Sequence, residues 1–297
     1  MSAIETQGLT KTYGSGKGIQ DVSLTVREGE MFGFLGPNGA GKTTTIRVLL
    51  DFLRPNAGWA RVLGFDCQQH SLQVRELIGY LPGEIHLEER LTGSELLATL
   101  SSFRSGIEPR FRQELAERLG IAASLDRPIR SYSKGMKQKI AIVQALMHRP
   151  RLLILDEPTE GLDPLVQQTF FQLLAEARQD GCTIFMSSHV LGEVERNCDR
   201  VALIRSGRLL VTEEIQALKA KAKRMVAATL AETASPDAFT LPGVSATSLG
   251  EGRWTFVVEG DIDPLFKRLA AFTVKDVEIT RSSLEDIFMR YYETERP

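Results

Sequence analysis

The stretch Gly36-Pro37-Asn38-Gly39-Ala40-Gly41-Lys42-Thr43 fits the phosphate-loop pattern G-x-x-x-x-G-K-[ST] at every fixed position. A phosphate group needs several backbone N–H groups aimed at one point, and only residues without a Cβ let the chain come that close. The loop also dictates its neighbours, a buried strand before it and a helix after it. Met31 to Leu35 is an apolar run that reads as the strand, and Thr43 to Leu50 is periodic enough for the helix. The helix N-terminus favours an anion. In such a loop Lys42 can reach the β- and γ-phosphates, and the Thr43 hydroxyl can ligate Mg²⁺. An α/β fold follows; the loop alone does not separate kinases, GTPases and transport ATPases.

The chain has 297 residues, enough for one full α/β domain and a smaller one. Its formal net charge is −2, which implies no general attraction to nucleic acid or acidic lipid. Cys67, Cys182 and Cys198 are scattered and show no metal or redox spacing, so reduced thiols are expected. Met1-Ser2-Ala3-Ile4-Glu5 does not begin a signal peptide, and no apolar run approaches a membrane span. Any membrane crossing has to come from another chain.

Leu152-Leu153-Ile154-Leu155-Asp156-Glu157 carries four branched apolar residues and then two acids. That pattern predicts a central parallel strand with carboxylates at its C-terminal end, where ligands bind in open α/β sheets. Asp156 is placed to support Mg²⁺. Glu157, expected on the opposite face, is placed to orient or deprotonate a water; the plainer reading is two solvated acids at a strand end. Thr183 to Met186 predicts the next buried strand, with Ser187-Ser188-His189 at its end, and His189 is either a γ-phosphate contact or a surface histidine. Asp163-Pro164 starts a long helix, and capping alone accounts for Asp163. Tyr13, ahead of the loop, either stacks on a base or packs.

Ile4 to Leu9 and Val22 to Val26 read as strands, and Trp59 to Leu63 and Ile78 to Leu81 as two more. Residues of about 90–150 read as an inserted helical subdomain, with helices at Ser94–Phe103 and Pro109–Leu119 and a third following Ser131-Tyr132-Ser133-Lys134-Gly135-Met136. Val201–Ile204 and Leu209–Val211 form a hairpin around Ser206-Gly207, and Glu213 to Arg224 reads as a helix. Residues 1–224 are thus expected as one domain. From about Met225 the composition shifts, and residues 225–297 predict a small α/β domain of four strands with a helix at Asp263. A last helix, Ser283 to Thr294, carries the stripe Leu284, Phe288 and Tyr291.

Taken in order, the phosphate loop, the Ser133–Gly135 element before a helix, the Leu152–Glu157 strand, Gly161-Leu162-Asp163 and His189 resemble the ATP-binding subunit of an ABC transporter. The last quarter, with Ser283-Leu284-Glu285-Asp286-Ile287-Phe288, is similar to the C-terminal extension of bacterial exporter ATPases whose membrane subunit is a separate polypeptide. The resemblance implies a P-loop NTPase core with an antiparallel β subdomain and a helical insertion. It implies ATP and Mg²⁺ as ligands, with Gly36, Pro37, Asn38, Gly39, Ala40, Gly41, Lys42, Thr43 and Thr44 on the phosphates and Tyr13 on adenine. Thr43 and Asp156 would hold the metal, Glu157 would be general base or water-orienting group, and His189 would sense the γ-phosphate. Asp163 would lie at a subunit interface, and Ser133 and Gly135 would reach the partner's nucleotide in a head-to-tail homodimer. Separate transmembrane permease subunits would be the partners, with the ATPase peripheral at the cytoplasmic side of the membrane, no nucleic acid bound, and export as the direction of transport.

Two positions depart from the pattern. The signature, usually LSGGQ, is here Tyr132-Ser133-Lys134-Gly135-Met136, and Gly83 stands where the family has a Mg²⁺-contacting glutamine, with Glu84 beside it as a substitute. Rival readings are a soluble ABC ATPase acting on ribosomes or DNA, against which stand the single cassette and absent heptad run, and a P-loop phosphotransferase, which leaves Ser133, Gly135 and His189 idle.

Overall fold

The computed structural model describes residues 1–281 apart from Ser15, Lys17, Ser105 and Ala222. The expected final helix and its Leu284, Phe288 and Tyr291 lie outside the described residues. The chain divides into two compact units, Met1–Glu214 and Ile215–Pro297.

The first unit opens with β1 (Ser2–Thr12) and β2 (Gly18–Arg27), whose alternating buried and exposed residues mark a half-buried ribbon, and then enters β3 (Met31–Leu35), buried throughout. After α1 (Lys42–Leu49) come β4 (Ala57–Val62), β5 (Phe65–Asp66), α2 (Ser71–Leu77) and β6 (Ile78–Leu81). The helical insertion follows as α3 (Gly93–Ser102), α4 (Pro109–Arg118) and α5 (Lys134–Leu146). Thr92 and Glu95 form a reciprocal capping box at the start of α3, and Pro109 occupies the first turn of α4. The chain returns through β7 (Leu152–Asp156), α6 (Pro164–Gln179), β8 (Thr183–Ser188), α7 (Leu191–Asn197) and the hairpin β9 (Arg200–Arg205) and β10 (Arg208–Glu214).

Two sheets result. The smaller, in order β2-β1-β4-β5, is antiparallel; the larger runs β10-β9-β3-β8-β7-β6 and is parallel except for its hairpin edge. A continuous core joins them across α1: Ile4, Leu9, Val22 and Val26 from the small sheet meet Ile46 and Leu49 of α1 and Phe32, Phe34 and Phe185 of the large one. The sheet order puts the carboxyl ends of β3, β7 and β8 side by side. In open α/β sheets that edge is where ligands bind.

The second unit carries α8 (Ile215–Lys221), β11 (Arg224–Leu230), β12 (Val244–Gly250), β13 (Arg253–Val258), α9 (Asp263–Leu269) and β14 (Val274–Arg281). Its sheet, β12-β13-β11-β14, is antiparallel throughout. Phe239 is the centre of its core, with ring centroids 4.8 Å from Trp254 and 4.9 Å from Phe256. The helix expected from Glu213 to Arg224 is shorter than its sequence signal. Glu213 and Glu214 pair with Val201 and Arg200 as the end of β10, and Arg224 pairs with Val258 as the start of β11. Ladder bonds at both ends outweigh local helix propensity there.

Candidate functional site

The phosphate loop lies at the end of β3, between the Ser206–Gly207 turn of the β9–β10 hairpin and the strand end at Ser188. Gly36 N–H donates to Ser188 O (3.2 Å), and Gly207 N–H donates to Ala40 O (2.9 Å). Two glycines are sterically required. A Cβ on Gly36 would lie 2.3 Å from the Ile204 carbonyl oxygen, and Gly41 has φ +111°, with Ile19 Cγ2 2.6 Å from where its Cβ would be. Gly41 also starts α1, so Lys42 and Thr43 open the helix.

Lys42 is buried, and its ammonium donates to Gly36 O (2.6 Å) and Pro37 O (3.2 Å). It also stands 3.0 Å from Glu157 Oε1 as an ion pair. Glu157 Oε1 is itself buried and accepts no well-directed hydrogen bond. Glu157 Oε2 is held by His189, whose ring Nδ1 lies 2.7 Å away and whose backbone N–H is 3.3 Å away. The chain Lys42–Glu157–His189 therefore links the loop to the end of β8.

Asp156 is 1% exposed, yet both oxygens are satisfied. Thr43 Oγ1 donates to Oδ2 at 2.8 Å and Ser187 Oγ donates to Oδ1 at 2.6 Å. Ser187 pairs with Asp156 in the parallel β7–β8 register, so the two side chains leave the sheet on one face. Glu157 lies just beyond the strand with φ +49°, left-handed backbone that a non-glycine residue seldom adopts. That turn overrides the strand alternation expected for it. Its carboxylate comes back to Lys42, on the phosphate-loop side with Asp156.

Tyr13, Asn38, Gly39, Thr43, Thr44 and Glu157 line one open cavity of about 230 Å³, which Gly18, Gly41 and Lys42 complete. Tyr13 stands at its rim, 42% exposed. Loop, aromatic, Asp156, Glu157 and His189 are thus gathered at one edge of the sheet.

Three expected residues stand apart from that cluster. Asp163 Oδ1 caps α6, accepting from the N–H groups of Leu165 and Val166 at 3.1 Å each. Ser133 caps α5 by accepting from Met136 N–H (3.2 Å), and Gly135 faces Gly161, whose carbonyl oxygen would lie 3.0 Å from a Cβ there. Among the described residues neither Ser133 nor Gly135 bonds to the phosphate loop of its own chain. Ser133 is the cap, and Lys134, Gly135 and Met136 already form the first turn of α5 rather than preceding it.

Both departures from the family pattern have a definite structural setting. Lys134 Nζ pairs with Glu160 (2.5 Å) and lays its stem over Gly161, so its charge is taken up within the chain. Gly83 lies against Asp156, and a Cβ there would be 3.5 Å from the carboxylate carbon. Glu84 is turned to solvent, its side chain 86% exposed and 3.8 Å from His86. The three cysteines are buried, and burial pushes the Cys67 and Cys182 thiols up to about 12, away from redox or nucleophilic chemistry. Sequence reasoning gave no role to Ser187. Its signal, a polar residue opposite the Asp156 position on the neighbouring strand, exists only once the strand pairing is known.

A family model for ABC transporters matches residues 19–160, from the start of β2 to the residue before Gly161. An ABC transporter ATP-binding protein of Synechocystis is 32% identical over 97% of this chain and 84% of its own length. The bacitracin transport ATP-binding protein BcrA of Bacillus licheniformis is 38% identical over 71% of this chain and 69% of its own. A solved structure of an ATP-binding subunit of an ABC transporter superposes with a TM-score of 0.68 at 30% identity, covering 73% of this chain and 92% of that one. Among the described residues no helix is long and apolar enough to cross a membrane. With its phosphate loop, paired acids and strand-end histidine at one sheet edge, the chain belongs to the ABC transporter family as an ATP-binding subunit, an ATPase built on a P-loop NTPase fold.

Proposed function

We propose that the protein powers export by closing a head-to-tail homodimer around two ATP molecules while bound, at the cytoplasmic face of the membrane, to separate permease subunits. The observation that carries this reading is the division of the site. Phosphate loop, acids and His189 form one half, while Ser133 and Gly135, at the N-terminus of α5, make no bond among the described residues to the phosphate loop of their own chain. A helix N-terminus supplied by a partner offers backbone N–H groups and partial positive charge to a terminal phosphate. Export as the direction draws on the resemblance of the last quarter to the extension of exporter ATPases; the similarity to the bacitracin transport protein supports transport.

The donor set fits Mg²⁺. Asp156 and Thr43 offer oxygen only, and no cluster of three or more His, Cys, Asp or Glu able to hold a metal is present among the described residues. Such a site leaves the remaining ligand positions to phosphate oxygens and water, the usual coordination of this ion. Thr43 keeps its O–H on Asp156 and leaves a lone pair for the metal. Bound there, the ion would neutralise phosphate charge; the protein supplies the rest.

Glu157 is the general base or water-orienting group. Its carboxylate is held by Lys42 on one oxygen and His189 on the other. Phosphates drawn to Lys42 compete for that ammonium and release Oε1 for a water. His189, fixed to Oε2, limits the directions the freed carboxylate can take. Tyr13 stacks on the adenine at the cavity rim.

Glu157→Gln tests the reading. Loss of a general base lowers rate by about 10²–10⁴-fold. Turnover is expected to fall on that scale while equilibrium ATP binding survives. Unchanged turnover would remove Glu157 from the chemistry.

A further inference from the structure

We propose that Ser187 is a positioning residue for ATP hydrolysis: its hydroxyl locks the turn that aims the Glu157 carboxylate. This rests on the reading of Glu157 as the group that orients or deprotonates the attacking water.

Ser187 is fully buried at the end of β8. Its oxygen accepts the Glu157 backbone N–H (3.0 Å), and its proton goes to Asp156 Oδ1 (2.6 Å). One hydroxyl thus serves both acids, through the side chain of one and the peptide of the other. The peptide it holds is the strained one. Glu157 has φ +49° without being glycine, a conformation that persists only when its surroundings impose it. Here they impose it with two anchors, Ser187 on the N–H and the Lys42–His189 pair on the carboxylate. Nucleotide binding draws Lys42 towards phosphate and weakens the second. The Ser187 bond does not involve the phosphate side, so with His189 on Oε2 it keeps Glu157 turned towards the nucleotide, Ser187 holding the backbone and His189 the carboxylate. The proton's direction is fixed as well: Asp156 is an acceptor, so the Ser187 oxygen keeps its lone pairs for the N–H.

The test is a double-mutant cycle on the full-length chain. Ser187→Ala is expected to lower kcat by about 10–100-fold, the scale on which a small misplacement of a reacting group acts. The ATP dissociation constant measured without Mg²⁺ should stay within threefold of its starting value, because Ser187 bonds to Asp156 and to the Glu157 peptide and not to the phosphate loop. In a Glu157→Gln background at saturating Mg²⁺, Ser187→Ala should remove little further activity, since the effect carried by the Glu157 peptide acts through the same carboxylate and excess metal offsets the bond lost at Asp156. Additive losses would overturn the proposal, as would a fall in ATP affinity matching the fall in kcat, which marks general disruption. Ser187→Cys, near in volume and a weak donor, takes the place of the alanine variant if that variant does not fold. If Glu157→Gln is inactive and the Ser187 variant fully active, only the positioning role fails. If Glu157→Gln is itself fully active, the reading underneath fails instead.

Discussion

His148 joins the helical insertion to the sheet, and its protonation should loosen that joint. It follows the end of α5, half-buried, with Nε2 3.0 Å from the Ile78 carbonyl of β6. Burial, and then the neighbouring Arg104 guanidinium, push its pKa down from 6.5 to about 4, against the pull of the Ile78 and Gln144 carbonyls. The unfolded chain therefore binds this proton more readily than the folded one. Stability is complete above pH 6.5 and is lost as pH falls towards 4. From the two pKa values the loss is about 1 kcal/mol near pH 5.5 and about 2–3 kcal/mol near pH 4.5. Both are upper limits, because water reaches a half-buried ring. Other groups titrate in the same range, so the useful quantity is a difference. Urea unfolding of the wild type and of His148→Gln at pH 7, 5.5 and 4.5 isolates it, since glutamine keeps a donor for Ile78 O and has no proton to gain. The wild type should lose about 2 kcal/mol more than the variant between pH 7 and pH 4.5. A difference that stays flat across that range would refute the reasoning.

Further outcomes follow from the site geometry. Gly41→Ala should reduce ATP affinity at least tenfold in equilibrium titrations, because its Cβ meets Ile19 and its backbone is left-handed, whereas Gly39→Ala, left-handed with open space around the added methyl, should cost only about 1–2 kcal/mol of folding stability. Gly83→Gln should fold normally, since a Cβ there makes ordinary contacts, and should lower the Mg²⁺ concentration giving half-maximal turnover; an unchanged Mg²⁺ dependence would count against that position facing the metal.

Wherever residue type alone decides the conformation, the fold was legible in the chain. Gly41, Pro109, Asp163 and the apolar Leu152–Leu155 run each have one structural use at their position, and the expected strands of both units are present with ends shifted by a few residues. The short helices α2 and α7 carry no such signal. Each has seven residues and no side-chain cap, so packing rather than local sequence forms them. In the site, spacing brought out the loop and both acids but not their geometry. Nothing in the order Asp156-Glu157 announces a left-handed turn at a glutamate, and nothing in Ser187-Ser188-His189 singles out the serine that bonds to both acids. Those facts depend on which strand lies beside which, a long-range pairing that periodicity does not encode. Lys134 is similar: its partner Glu160 is 26 residues away in sequence and reaches it only because α5 starts against the loop after β7.

The most direct test is a structure of the Glu157→Gln chain with Mg²⁺ and ATP. Two copies should enclose two nucleotides, with Ser133 and Gly135 of one copy within hydrogen-bond distance of the γ-phosphate held by Lys42 of the other. A nucleotide seated on the phosphate loop with Ser133 and Gly135 far from every terminal phosphate would contradict the account.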